Sequence, residues 1–152
     1  MHNLELRTEY WDDLSARESF KAFINKIHGL DFSLWESLGY WDYAYTPFSF
    51  FRDNEVVSSV CIYQLDAIID GKCTVLTQIS GVGTLTEWRK KGLSRHLTNL
   101  GLTWAGDQLQ GVFLFADEDA IPYYEKTGFT RLDEYIEYCE PLSVKQRPGL
   151  IK

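Results

Sequence analysis

Residues 84–97, TLTEWRKKGLSRHL, decide how the rest of the chain reads. An apolar strand ends, a turn follows and an amphipathic helix begins. Leu93, Leu97, Leu100 and Trp104 then step by four, three and four residues along one face expected to be buried. Arg89, Lys90, Lys91 and Arg95 crowd the start of that helix. A helix N-terminus carries partial positive charge and ordinarily attracts Asp and Glu, and the chain as a whole has a net charge of −7. Four cations there gain from their position only if a polyanion sits among them. The unpaired N–H groups of a first turn suit an anion, and Gly92 leaves its oxygens room to reach the main chain. The alternative, a solvated cationic face, costs only a few tenths of a kcal/mol per charge, and the stretch alone leaves both readings open.

Upstream, TVLTQISGVGT (74–84) contains no ionisable residue, as expected of a strand buried on both faces. Gly81 and Gly83 inside it point to a bulge or a close approach of another backbone or a ligand. A preceding strand begins at Glu55 with EVVSSVCIY, and Asp70-Gly71 is a hairpin signal between the two. Downstream, GVFLFA (111–116) reads as a short buried strand. DAIPYYEKTGF (119–129) reads as a short helix with Pro122 in its first turn and Gly128 as its left-handed stop. TRLDEYIEYCE (130–140) is expected to be a final strand. The first fifty or so residues read helical: Leu14, Phe20, Phe23, Ile24 and Ile27 recur at helical spacing up to Gly29, and a short helix is expected over 32–38. YWDYAYTPFSFF (40–51) reads as an aromatic connection broken by Pro47. Helices followed by alternating strands and helices make a mixed α/β (α+β) sheet.

A chain of 152 residues suits one domain over 1–152. Its 15% aromatic content argues against disorder. No apolar run approaches the ~18 residues of a membrane span. The start MHNLELRTEYWDD lacks the basic-then-apolar layout of a secretion signal, so a cytoplasmic protein is expected. Cys61, Cys73 and Cys139 are odd in number and widely spaced, which suits reduced core thiols rather than a disulfide framework or a zinc site. With His2, His28 and His96 equally scattered, no metal site is expected. The acidic balance disfavours nucleic acid and leaves a small polyanion as the partner of the basic cluster.

Neither common phosphate loop fits. G-x-x-x-x-G-K-[ST] is absent, and GVGTLT (81–86) places Thr86 where a dinucleotide fingerprint needs its third glycine. RKKGLS (89–94) instead resembles the [Q/R]-x-x-G-x-[G/A] motif of the GNAT superfamily of acetyltransferases, with Ser94 at the last place. Residues 82–89 resemble the family's longer V-x-T/V-x-P-x-[YW]-R pattern with Thr86 in place of proline. AIPYYEKTGF (120–129) is similar to its A-x-x-[FY]-Y-E-K-x-G-F segment, and Asp117 stands where many members have Asn.

The resemblance implies a GNAT-type mixed, mostly antiparallel central sheet with helices on both faces and a parallel pair splayed at the cofactor. It assigns 1–51 to the acceptor side and 52–140 to the acyl-CoA core, with 141–152 as a tail. It also implies that Val82, Gly83 and Thr84 offer main-chain groups to the pantetheine and acetyl end of acetyl-CoA. Lys90, Lys91, Gly92, Leu93, Ser94 and Arg95 would hold the pyrophosphate. Tyr124 would protonate the leaving thiolate, as a phenol with a pKa near 10 can at neutral pH, with Tyr123 as the other candidate. No acid lies on the central strand. Asp66, Glu87, Asp117 and Glu118 are the nearest in sequence, and each reads as a surface charge. The implied reaction is acetyl transfer to a primary amine, on a small molecule or a peptide, without a metal, nucleic acid or membrane; a homodimer is compatible with it. The aromatic stretch from Trp35 to Phe51 is expected to be mostly core, with two or three rings and Asp42 left for an acceptor pocket. The rival reading is a non-catalytic acyl-CoA sensor or interaction module on the same fold.

Overall fold

Asp70 and Gly71 close a hairpin. Both are left-handed, at φ 50° and 75°, as a two-residue type I′ turn requires. They join β3 (Glu55–Ile69) to β4 (Lys72–Thr84). The structure is a computed structural model describing residues 4–106 and 111–133. Around the hairpin it builds a five-stranded sheet in the order β1-β2-β3-β4-β5, with β1 at Glu5–Thr8, β2 at Tyr45–Arg52 and β5 at Val112–Phe113. The first three pairings are antiparallel, and β4 with β5 is parallel. The chain divides into two compact units, 1–116 and 117–152.

Helix α1 (Leu14–His28) is capped by Asp13, which accepts from Ala16 N at 3.0 Å, and stops at left-handed Gly29. It buries Phe20, Phe23 and Ile24, each contributing roughly 1.5–3 kcal/mol, while Leu14 at its start is exposed. A short α2 (Ser33–Ser37) follows. Glu36 on α2 pairs with Arg17 and Lys21 of α1, and Phe32 and Trp35 pack on the cluster of Phe20, Trp41 and Tyr45. Helix α3 (Leu93–Ala105) lies across the other face. Consecutive residues of a strand point to opposite faces. Cys61 sits under α1's Ile24 at Gly81, while Ile62 would meet any side chain added at Gly101 of α3 within 2.7 Å. The sheet therefore carries helices on both faces. Among the described residues no helix is long and apolar enough to cross a membrane.

Several expectations change. Residues 40–51 are not a connection: from Tyr45 they form β2, and Pro47 sits inside it. Proline is tolerated there because the ladder with β1 begins only at Phe48, leaving an open edge beside the missing N–H. Strand β1 was hidden in a stretch read as helical. Within β4 only Thr77, Ile79 and Gly83 are buried, so residues 74–84 lack ionisable groups without being covered on both faces, and Cys73, expected in the core, is exposed. The buried face of α3 is Leu97, Thr98, Gly101 and Ala105 rather than the leucine–tryptophan line, and Trp104 is half-open against Phe48. The close approach at Gly101 pulls the helix toward that face. Strand β5 is only two residues long and half-buried. The expected strand over 130–140 carries no regular element through 133; its remainder and the tail lie outside the described residues.

Candidate active site

The turn from β4 into α3 is built from alternating backbone hands. Lys90 has φ 62° and Gly92 φ 76°, while Lys91 between them keeps a negative φ. Such alternation curls the main chain so that successive N–H groups converge on one concavity. Gly92 is the N-cap of α3 and no side chain caps the first turn, so the main-chain donors of Leu93, Ser94 and Arg95 lack a side-chain acceptor. A Cβ added at Gly92 would meet nothing within 4 Å. Among the described residues Arg89, Lys90, Lys91 and Arg95 form no ion pair. Lys91 Nζ lies 4.3 Å above the Trp88 ring, a parking place on a flexible stem. Arg89 turns back, its Nε donating to Thr84 O at 3.1 Å.

The end of β4 is shaped by a bulge. Gly83 pairs with Ser59 and Ser80 with Cys61, so Gly81 and Val82 together face Val60. Gly81 supplies φ 55°, and its position lies against Cys61 Sγ, Tyr45 Oη and Ile24. The Gly83 position lies against Ile27 and Phe23, which brings α1 down onto the strand end. The bulge is found at Gly81, whereas what approaches Gly83 is a pair of side chains rather than another backbone or a ligand. Leu85 N donates to Val57 O, and Gly83 O accepts from Ser58 Oγ at 3.1 Å, so these groups turn toward β3. Strand alternation then turns the main chain of Thr84 to the outer edge, where Arg89 meets it.

Among the described residues that outer edge has no strand partner beyond Gln78. β4 pairs with β5 only at Thr77↔Val112 and Gln78↔Phe113, and over 79–84 no described strand pairs with the edge opposite β3. The unpaired stretch runs on to the cationic turn.

A hydroxyl chain that no linear motif encodes joins these parts. Ser94 Oγ and Thr84 Oγ1 are 2.7 Å apart, Thr84 Oγ1 and Ser58 Oγ 2.8 Å, and Ser58 continues to Gly83 O. With the Ser58 proton on Gly83 O, Thr84 donates to Ser58 and Ser94 donates to Thr84. Isolated serines in a strand carry no signal for this; only the register shows it.

Tyr124 lies in the second unit, on α4 (Ile121–Lys126), whose first turn carries Pro122 and which is followed by left-handed Gly128. Its ring is buried against Tyr123 and Phe129, with centroids 5.1 and 5.9 Å away. Burial, followed by the neighbouring Tyr123 and Asp117, pushes its phenol up to about 12. Asp66, Glu87, Asp117 and Glu118 are all exposed. In the aromatic stretch Trp41, Tyr45, Phe48 and Phe51 are core, while Tyr40 and Tyr43 are 61% and 70% exposed.

The family model described as "Acetyltransferase (GNAT) family" matches residues 4–129. The chain belongs to the GNAT acetyltransferase family. It is thereby an acyltransferase-family enzyme, and its sheet matches the fold of solved GNAT structures. A glucosamine-6-phosphate N-acetyltransferase from Arabidopsis thaliana is 12% identical with a TM-score of 0.69, covering 90% of this chain and 98% of that one. An aminoglycoside acetyltransferase from an uncultured soil sample is 17% identical with a TM-score of 0.67, covering 93% and 99%. A predicted acetyltransferase from Clostridium acetobutylicum, solved with acetyl-CoA, is 17% identical with a TM-score of 0.68, covering 90% and 96%. No curated protein sequence matches the chain. For this GNAT chain the Ser94 departure has a physical account: the hydroxyl is bonded to Thr84.

Proposed function

We propose that this protein transfers the acetyl group of acetyl-CoA to a primary amine, on a small molecule or a peptide, by direct attack of the amine. The observation that carries this reading is the continuity of two features: a main-chain edge over 79–84 without a strand partner among the described residues, and an uncapped, cation-ringed helix start at 92–95. A CoA molecule has a peptide-like pantetheine arm and a diphosphate in that order. Val82, Gly83 and Thr84 lie at the strand end and Lys90, Lys91, Gly92, Leu93, Ser94 and Arg95 at the turn, so the two segments suit the two parts of the ligand.

Catalysis on this reading is chiefly positioning. The bulge leaves main-chain donors outside the regular ladder, suited to the charge that develops on the thioester oxygen. Thioester cleavage releases CoA thiolate, which takes its proton from Tyr124, and the nitrogen's remaining excess proton, lost as the amide forms, restores the phenol through water; burial keeps the phenol protonated at neutral pH. The attacking amine needs one proton removed, and β4 carries no acid to take it. We propose that water carries that proton to a distant carboxylate, or that the small neutral fraction of the amine reacts directly. The reading treats 1–152 as one catalytic domain acting in the cytoplasm, without a resident metal, and is compatible with a homodimer. Two of the solved GNAT structures are named for amino-sugar and aminoglycoside substrates, which supports an amine acceptor.

The experiment is a CoA-release assay with acetyl-CoA across a panel of small amines, aminoglycosides and peptide N-termini. Turnover with at least one amine is expected. CoA binding with no turnover on any amine would leave the sensor reading in its place.

A further inference from the structure

We infer that Ser58, Thr84 and Ser94 are positioning residues that set the end of β4 and the first turn of α3 to each other, and so align the two ends of the CoA site. The inference rests on the acetyl-CoA reading above. Its ground is the unbroken hydroxyl chain from Ser94 Oγ through Thr84 Oγ1 and Ser58 Oγ to Gly83 O, with links of 2.7, 2.8 and 3.1 Å.

Each member has a defined place. Ser94 is the second residue of α3, inside the uncapped turn that would face the diphosphate. Thr84 is the last residue of β4, with its main chain on the outer edge that would take the pantetheine arm. Ser58 is fully buried on β3, directly opposite Thr84 in register. An N-cap side chain ordinarily accepts from the first-turn N–H groups. Here the N-cap is Gly92, which has no side chain to do so, and the Ser94 hydroxyl ties the helix to the strand through Thr84. The intervening segment, 85–92, contains two residues in left-handed conformation and no fully buried side chain, and the hydroxyl chain joins its two ends directly. Thr84 is the hinge pin: both its hydroxyl and its carbonyl are held, the latter by Arg89.

A ligand that bridges strand edge and helix start reads this alignment; one that touches only the helix start does not. The test is calorimetric titration of CoA, with its nucleotide end, 3′-phospho-ADP, measured by competition against CoA. Thr84→Val removes two links while keeping the branched shape, and Ser94→Ala removes the first link alone. Each is expected to weaken CoA by roughly three- to tenfold, the scale of one lost hydrogen bond, with 3′-phospho-ADP changed by less than about twofold. The double variant should be no worse than Thr84→Val alone, because the same link is lost, and Thr84→Ser should restore affinity. Equal losses for CoA and 3′-phospho-ADP, additive losses in the double variant, or unchanged CoA affinity in Thr84→Val would each overturn the inference. If the wild-type protein binds neither probe, the acetyl-CoA reading itself fails; if it binds both and the variants do not discriminate, only the alignment role fails.

Discussion

Lys90 offers a separation of strain from charge. Its φ of 62° is a conformation that a side chain with a Cβ adopts at a cost of about 1–2 kcal/mol. Its ammonium is free of ion pairs among the described residues. Lys90→Ala discards the charge and keeps the strain; Lys90→Gly discards both. Glycine normally lowers stability relative to alanine by about 0.5–1 kcal/mol through the entropy of the unfolded chain. At a left-handed position the relief of strain outweighs that loss, so the glycine variant should be more stable than the alanine variant by about 0.5–1 kcal/mol. For a chain of this size that is roughly 1–4 °C in Tm. Both variants lose the same cation, so both should bind CoA about tenfold more weakly than the parent, the value of one charge-assisted contact. Scanning calorimetry and titration of CoA at two salt concentrations give both readouts. A glycine variant less stable than the alanine one would refute the strained turn. Unchanged affinity in both would refute the phosphate contact.

Three further outcomes follow from the same geometry. Gly81→Ala places a carbon 3.1 Å from both Cys61 Sγ and Tyr45 Oη at a φ of 55°, and should cost about 2–4 kcal/mol. Gly71→Ala has the same backbone hand but open space, and should cost only about 1–2 kcal/mol; urea melts compare them, and equal losses would contradict the packing at the bulge. Tyr124→Phe should lower kcat by ~10²–10⁴ with KM for acetyl-CoA nearly constant, whereas a loss found instead in Tyr123→Phe would move the acid to that residue. Burial raises the Cys61 thiol to about 12 and lifts Tyr45 and Tyr10 well above their ordinary values. These groups are neutral when folded but ionise near pH 9–10 when unfolded, so stability is full below about pH 9 and falls as pH climbs toward 12. Equal denaturation midpoints at pH 8 and pH 10.5 would contradict this.

The β3–β4 hairpin, the helix after it and the cationic turn were legible because each rests on local chemistry: an Asp-Gly turn, a four–three–four apolar step, and charges of the wrong sign at a helix start. Strands β1 and β2 were not. The four residues of β1 are too few to show a period, and Pro47 argues locally against a strand whose open edge is a property of the whole sheet. The buried face of α3 was misread because it is centred on Gly101, a residue without apolar weight, drawn in by Ile62. The site divides in the same way. The motif residues could be placed by spacing, whereas Ser58 and the Arg89–Thr84 contact depend on register across strands and on a bulge, neither of which a linear pattern encodes.

The strand edge and the cationic turn must together hold acetyl-CoA. Calorimetric titration of acetyl-CoA into the parent protein and into the Lys90→Glu, Lys91→Glu double variant measures this, with circular dichroism checking that the variant is folded. Saturable binding is predicted for the parent, with a loss of at least about 100-fold in the variant, since two charge-assisted contacts become repulsions. No binding by the parent, or equal binding by a folded variant, would contradict it.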